Sequence, residues 1–258
     1  MVIYETLPVY KEVYALILLI YEITKEFLRE YKYTLGQDMK RDGMQLVRSI
    51  YRANKYQMEA VITGGIINSG MQSPEQWLKV LRGVLSSNFG KEPEDWEIYH
   101  GDSFQLRVGP WEALSTAFII KAAMKQCRGM EVRMAIGIGE ASNRVRKITK
   151  SNGSAFIHSG ECFDELGKAT LAIRTPWEKF DRTINTMLEL ATLTMDRWKP
   201  SSSEMIRACL ENPEMTQVEI GKLLDKPQSN ISVGLKRGGF EEIQGLLVYY
   251  RDEIPIER

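Results

Sequence analysis

From Pro8 to about Tyr31 apolar residues recur at helical spacing: Tyr10, Val13, Tyr14, Ile17, Leu18, Tyr21, Ile23 and Leu28. Charges fall between them at Lys11, Glu22, Lys25, Glu26, Arg29 and Glu30. That period predicts a helix. Gly36 breaks it, and a second helix is expected from about Gln37 to Asn54, with Met39, Met44, Leu46, Val47, Ile50 and Tyr51 towards one apolar side. Residues 1–57 therefore read as a helical hairpin. Two helices cannot cover both of their own stripes, so the hairpin should dock on the rest of the chain or on another copy.

Near Met58 the period changes from helical to extended, which marks a domain boundary. Glu59–Gly64 predicts a buried strand, Ser73–Ser87 a helix with Pro74 in its first turn, and Trp96–Tyr99 a second strand. His100-Gly101-Asp102-Ser103 reads as a tight turn into a strand in which Phe104, Leu106 and Val108 alternate with Gln105 and Arg107. A helix over Pro110–Cys127 and a strand over Glu131–Gly139 complete a β-α-β-β-α-β order, the ferredoxin-like arrangement. Ser142–Thr175 is Gly/Ser-rich and reads as irregular. Pro176 opens a connector helix to about Trp198, and Lys199-Pro-Ser-Ser-Ser reads as a polar linker. The expected class is α+β, with a hairpin over 1–57, an α/β domain over 58–198 and an all-α module over 203–258.

The last segment has the punctuation of a helix-turn-helix. Glu204–Glu211 predicts a helix closed by Asn212-Pro213. Thr216 with Glu219 three residues on predicts a capping box at the start of a second helix, whose apolar positions are Val218, Ile220, Leu223 and Leu224. Lys226-Pro227 then turns into a third helix, Gln228–Arg237, with Ile231 and Leu235 inward. Gln228, Ser229, Asn230, Ser232 and Lys236 point outward, side chains able to hydrogen-bond base edges and phosphates in a major groove. The run Thr216–Arg237 resembles the helix-turn-helix of many bacterial regulators over its whole length.

Charge narrows this reading. The chain holds 34 basic and 34 acidic residues, so no global field draws it to nucleic acid. Past Ser201 there are ten acids against seven bases. Any phosphate attraction must come from Lys222, Lys226, Lys236 and Arg237, or from two copies acting together. Three scattered cysteines, Cys127, Cys162 and Cys209, without CxxC spacing argue against a disulfide framework or zinc site and fit a reducing cytoplasm. The most apolar run, Val13–Ile20, is far shorter than the roughly 20 residues that span a bilayer, so no membrane partner is expected.

Val61-Ile-Thr-Gly-Gly-Ile-Ile-Asn-Ser69, His100-Gly-Asp-Ser-Phe-Gln-Leu106 and Arg133-Met-Ala-Ile-Gly-Ile-Gly139 resemble the first strand, hairpin and later strand of class III nucleotidyl cyclases. With the C-terminal helices, residues 58–251 resemble the SatD-type family, bacterial proteins of regulatory character. The resemblance implies two metal-binding carboxylates, because paired Mg²⁺ or Mn²⁺ ions must bridge nucleotide phosphates. Asp102 stands at one position. Gly65 stands at the other and has no ligand atom, so no catalytic residue is assigned. A vestigial nucleotide site would consist of Asp102 and the backbone of Gly64, Gly65, Ile66, Ile67, Asn68 and Ser69. Gly-Asp at a hairpin tip also suits a turn for backbone reasons alone. His100 and His158 have no paired acid or nucleophile in sequence context and read as solvent-facing or structural. Gly137 and Gly139 read as permitting close packing or a turn rather than as binding nucleotide.

Leu7-Pro-Val-Tyr-Lys11, Ile23-Thr-Lys-Glu-Phe27 and Tyr31–Met39 resemble the first two helices of the four-helix-bundle family that includes accessory variability determinant and ribosomal RNA intervening-sequence proteins. The resemblance covers half of that bundle and implies RNA or a reverse transcriptase complex as a partner. Lys25, Arg29, Lys32, Lys40, Arg41, Arg48, Arg52 and Lys55 would supply its basic surface, diluted by Glu22, Glu26, Glu30, Asp38 and Asp42. The expectation from the whole chain is a cytoplasmic, homodimeric DNA-binding regulator whose cyclase-like domain dimerises or senses a nucleotide. The alternatives are a metal-dependent nucleotidyl cyclase-type enzyme and an interaction protein acting through the N-terminal hairpin.

Overall fold

A computed structural model describes residues 8–55, 58–71, 73–140 and 147–256. The chain divides into two compact units, Met1–Gln57 and Met58–Arg258. In the first, α1 (Pro8–Ile23) packs on α3 (Leu35–Lys55), with α2 (Arg29–Lys32) between them. The shared seam consists of Val13, Ile17 and Thr24 against Gly36 and Gly43, and a Cβ on Gly43 would stand 3.2 Å from Ile17 Cγ1. The periodicity predicts one helix to Tyr31, but α1 stops at Ile23. The Thr24 hydroxyl donates to the Tyr21 carbonyl at 3.3 Å, competing with the helical ladder there. Gly36, expected as the break between helices, lies just inside α3, where a Cβ would meet Thr24 at an ordinary contact distance of 3.5 Å.

The second unit is built on a five-stranded sheet ordered β2–β3–β1–β4–β5. Its strands are β1 (Met58–Ile67), β2 (Trp96–Tyr99), β3 (Ser103–Val108), β4 (Glu131–Glu140) and β5 (Leu171–Arg174). All neighbours are antiparallel except β4 and β5. β1 and β4 are long apolar runs because both of their faces are covered. On one face α4 (Pro74–Asn88) and α5 (Ala113–Gln126) bury Trp77, Leu81, Leu114 and Phe118 with Ile62, Phe104 and Ile136. On the other lies α6 (Ser154–Asp164), seated against β4 and β1.

Neither α6 nor β5 is predicted by periodicity, which reads 142–175 as irregular. The inward positions of α6 are Ala155, Ser159 and Cys162, and they meet glycines of β4. A Cβ on Gly137 would fall 2.1 Å from the Ser159 amide nitrogen and 2.2 Å from the Ala155 carbonyl oxygen. Small residues against glycine give backbone-to-backbone contact with little hydrophobic signal. β5 is an edge strand, and one side chain blunts it. The Asn185 amide accepts from the Ile173 N–H and donates to the Ile173 carbonyl, both at 2.8 Å.

The remaining helices are α7 (Glu178–Met195), α8 (Pro200–Glu211), α9 (Gln217–Leu223), α10 (Gln228–Arg237) and α11 (Phe240–Glu253). The expected polar linker is absent: Lys199 caps α8, and Ser203 is buried, its hydroxyl donating to the Lys199 carbonyl at 3.0 Å. Met205, Ile206 and Ala208 of α8 join the core of the sheet, with α5 beneath them. Trp198 Nε1 donates to the Gly238 carbonyl at 2.8 Å, and the Tyr250 hydroxyl donates to the Pro110 carbonyl at 2.5 Å. Burial pushes the Tyr250 phenol upward. Lys121 is wholly buried, with Nζ 2.7 Å from Asp196 Oδ1, 3.0 Å from Glu131 Oε1 and 3.1 Å from Thr170 Oγ1. Among the described residues no helix is long and apolar enough to cross a membrane.

Candidate functional site

The three helices α8, α9 and α10 pack through Met205, Ile206, Ile220, Ile231 and Leu235. Two bare backbone positions bring them close: a Cβ on Gly234 would fall 2.2 Å from Met205 Sδ, and one on Gly221 2.7 Å from the Lys226 carbonyl oxygen. The start of α9 is closed as its sequence predicts. The Thr216 hydroxyl accepts from the Glu219 amide at 3.4 Å, and Glu219 Oε2 accepts from the Thr216 amide at 2.7 Å. The Thr216 amide holds the Glu219 carboxyl below the usual carboxylate range.

With Ile231, Gly234 and Leu235 turned inward, Gln228, Ser229, Asn230, Ser232, Lys236 and Arg237 are all exposed on α10. Ser229, Val233 and Lys236 recur at i, i+4 and i+7, so they share the middle of the outward face. Val233 is 48% exposed. Charge and hydrogen-bonding capacity do not single it out, but helical spacing from Ser229 does; a small apolar side chain there suits a thymine methyl. A second residue outside the predicted set is Gln217. Its Oε1 accepts from Gln228 Nε2 at 3.0 Å, tying the first residue of α9 to the first residue of α10. Ser232 and Lys236 line a groove of ≈ 370 Å³ with Thr216, Gln217 and Glu241.

The expected basic cluster is not brought together in full. Lys222 is exposed, but Lys226 is half-buried and ion-paired to Glu204 of α8, so its charge is already engaged by a carboxylate. Lys236 and Arg237, at the end of α10, also line a ≈ 720 Å³ groove formed with α7 and α11.

The second set of predicted residues lies where β1 leaves the sheet beside the β2–β3 turn. His100 and Gly101 take positive φ there, 51° and 90°. His100 is exposed, and its ring meets the Tyr99 ring edge-on at 5.4 Å. Gly65 is paired with Ser103, and the Ile66 amide donates to the Asp102 carbonyl at 2.9 Å, so Gly65 and Asp102 are neighbours across one strand pair. The Asp102 carboxylate accepts from Ser69 Oγ at 3.3 Å and Ser103 Oγ at 3.4 Å. Asn68, at φ 63°, donates through Nδ2 to the Gly129 carbonyl at 3.3 Å.

This geometry removes part of the expected phosphate cradle. Gly64 and Gly65 sit inside ladders with β3 and β4, and the Ile66 amide is spent on Asp102. A Cβ on Gly64 would fall 2.2 Å from the Phe104 ring, which explains that glycine by packing. Gly65 faces α6: a Cβ there would stand 3.2 Å from Phe163 Cζ, and the Arg133 guanidinium lies 5.7 Å from the same ring. The tip of an aromatic ring therefore stands beside the position where the cyclase resemblance implies a carboxylate. One carboxylate already shared between two hydroxyls does not make a two-metal site. No three His, Cys, Asp or Glu side chains converge among the described residues.

The Gly65–Phe163 contact gives a measurable coupling. Gly65→Asp is expected to cost about 1 kcal/mol, the low end for overpacking, because only the half-buried tip of the Phe163 ring must give way. In a Phe163→Ala background the same change should cost less, so a double-mutant cycle by urea denaturation reads the contact directly. A cycle closing to zero would mean that the two positions do not touch.

His158 is part-buried, and its Nδ1–H donates to the Ile138 carbonyl at 2.6 Å, an anchor of α6 on β4. Burial pushes the Cys162 and Cys209 thiols up to about 11, which keeps both protonated and poorly nucleophilic. No protein-family model and no curated protein matches the chain.

Proposed function

We propose that the chain is a cytoplasmic DNA-binding regulator that acts as a homodimer, with α8–α10 as a helix-turn-helix and α10 as its reading helix. The observation that carries this is the sorting of α10: Ile231, Gly234 and Leu235 are inward, and Gln228, Ser229, Asn230, Ser232, Val233 and Lys236 are exposed. A helix start rich in hydroxyl and amide side chains, with a cation at its far end, suits base edges at one end and phosphate at the other. The Gln217–Gln228 bond supports it by holding the first reading side chain in place. The sheet supports a ferredoxin-like reading of 58–140, because β1 lies between β3 and β4 and is antiparallel to both. Phe163 over Gly65 supports a cyclase-like domain that does not perform two-metal chemistry.

With Lys226 engaged by Glu204, phosphate contacts reduce to few cations, so affinity rests on doubling the module. Selection of double-stranded DNA from a random pool, then anisotropy over a salt series, tests this. The full chain should enrich one sequence with two half-sites. Asn230→Ala with Lys236→Ala should weaken binding to it by at least about 10-fold, with the salt slope falling by about 1 per copy of the lysine lost. The circular dichroism should not change. Failure to enrich any sequence at low salt would overturn the reading.

A further inference from the structure

The N-terminal unit exposes more apolar surface than a two-helix layer can keep in water. At about 100° per residue, Val13 and Ile17 of α1, with Thr24 just beyond its end, form the stripe that meets α3, while Val9, Leu16, Leu19 and Ile23 form a second stripe beside it. The edges of the hairpin can be told apart. Lys40 Nζ of α3 lies 4.8 Å over the Tyr21 ring, which puts Tyr21 and Lys40 on one edge. The opposite edge then carries the second stripe of α1 together with Leu35 and Leu46 of α3. Val9, Leu16, Leu19, Ile23, Leu35 and Leu46 are each 46–52% exposed and lie on one side of the hairpin.

We infer that this face is the contact between two copies of the chain, closing two hairpins into a four-helix bundle. Three features select a second copy. The face is nearly uncharged: Glu12, near the helix N-terminus where a carboxylate is tolerated, is the one charge within the α1 stripe, and Asp42, which lies between Leu35 and Leu46 on α3, is already paired with Arg41 at 3.5 Å. Val9, Leu16 and Ile23 repeat at seven residues with Leu19 between, the spacing of a helix-to-helix seam. The area also suffices. Six side chains left half exposed offer on the order of 100 Å² each, so a two-fold pair would remove roughly 1,200 Å² in total, the lower bound of a specific interface. The inference deepens the proposed function by placing the dimer contact, but its readout needs no DNA, so the two can fail separately.

Sedimentation velocity of the full chain at micromolar concentration provides the test. The unaltered chain should sediment as a dimer. Leu16→Glu with Leu19→Glu should weaken dimerisation at least 100-fold and give a monomer whose thermal unfolding is otherwise retained. Leu16→Lys with Leu19→Lys should do the same, and mixing the acidic and basic variants should restore a dimer, which misfolded chains would not do. Leu190→Glu with Leu193→Glu, on the exposed side of α7, should leave the dimer intact. A monomeric unaltered chain, a dimer that survives the Glu pair, no rescue on mixing, or loss of the dimer on changing α7 would each overturn the inference.

Discussion

Lys121→Met should lower the stability of the second unit by about 3 kcal/mol, the lower end of the range for removing one partner of a buried ionic network. Lys121 Nζ is wholly buried and meets Glu131, Asp196 and Thr170, so it joins α5 to β4, to the turn before β5 and to the end of α7. Methionine fills much of the volume, leaving the loss of charge as the main effect. Two circumstances keep the cost from the upper end. Lys125 Nζ stays 2.9 Å from Glu131 Oε2, and the Asp196 side chain is 36% exposed, so water reaches it. Urea unfolding followed by circular dichroism should show an earlier midpoint with an unchanged slope. A shift below about 1 kcal/mol, typical of exposed pairs, would show that the network contributes no more than a surface ion pair.

Gly137→Ala should be as damaging, although it adds one methyl group. The new Cβ would fall 2.1 Å from a backbone nitrogen and 2.2 Å from a backbone oxygen of α6. Backbone inside a helix cannot step aside as a side-chain end can, so α6 as a whole must lift from β4. The expected loss is about 3 kcal/mol, with faster amide exchange across α6. Gly160→Ala is the control. It lies in the same helix with nothing within 4 Å of its Cβ, and it should be neutral or raise stability by up to about 1 kcal/mol. Equal destabilisation by both changes would mean that the contact of α6 with β4 is not backbone on backbone.

The two glycines mark where sequence reading succeeds and where it stops. Strands β1 to β4 and helices α4 and α5 are legible because each has its own signal: a long apolar run, strict alternation in Phe104–Val108, or Pro74 after Ser73 at a helix start. α6 is not legible, because its buried positions are Ala155, Ser159 and Cys162 and its partners are Gly137 and Gly139. Sequence reading leaves those glycines open between close packing and a turn, and what packs there is a helix about 20 residues further on, itself read as irregular. The Lys199–Ser203 stretch is polar in the one-dimensional text and yet opens α8, because Ser203 satisfies its own hydroxyl within the turn and can therefore be buried.

The candidate site divides in the same way. The outward set on α10 is legible because a capping box, Pro227 and two inward aliphatics determine the helix and its phase, and phase determines which side chains face out. Gln217 is recovered only by geometry, through a contact across 11 residues, whereas Val233 is within reach of helical spacing from Ser229 and is missed because it carries neither charge nor a hydrogen-bonding group. Lys226 shows the converse: it counts as a free cation in the sequence and is half-buried against Glu204 in the fold.

By itself the sequence determines the elements whose cause is local: helix phase, strand alternation, caps and turns depend on residues within a few positions of one another. It also determines that Gly65 offers no metal ligand. What only the tertiary structure decides is which distant groups meet. Phe163 over Gly65, α6 on Gly137 and Lys121 among Glu131, Asp196 and Thr170 are contacts between segments remote in sequence. Their energy comes from close packing and shared desolvation, and neither is defined until the chain has closed around them.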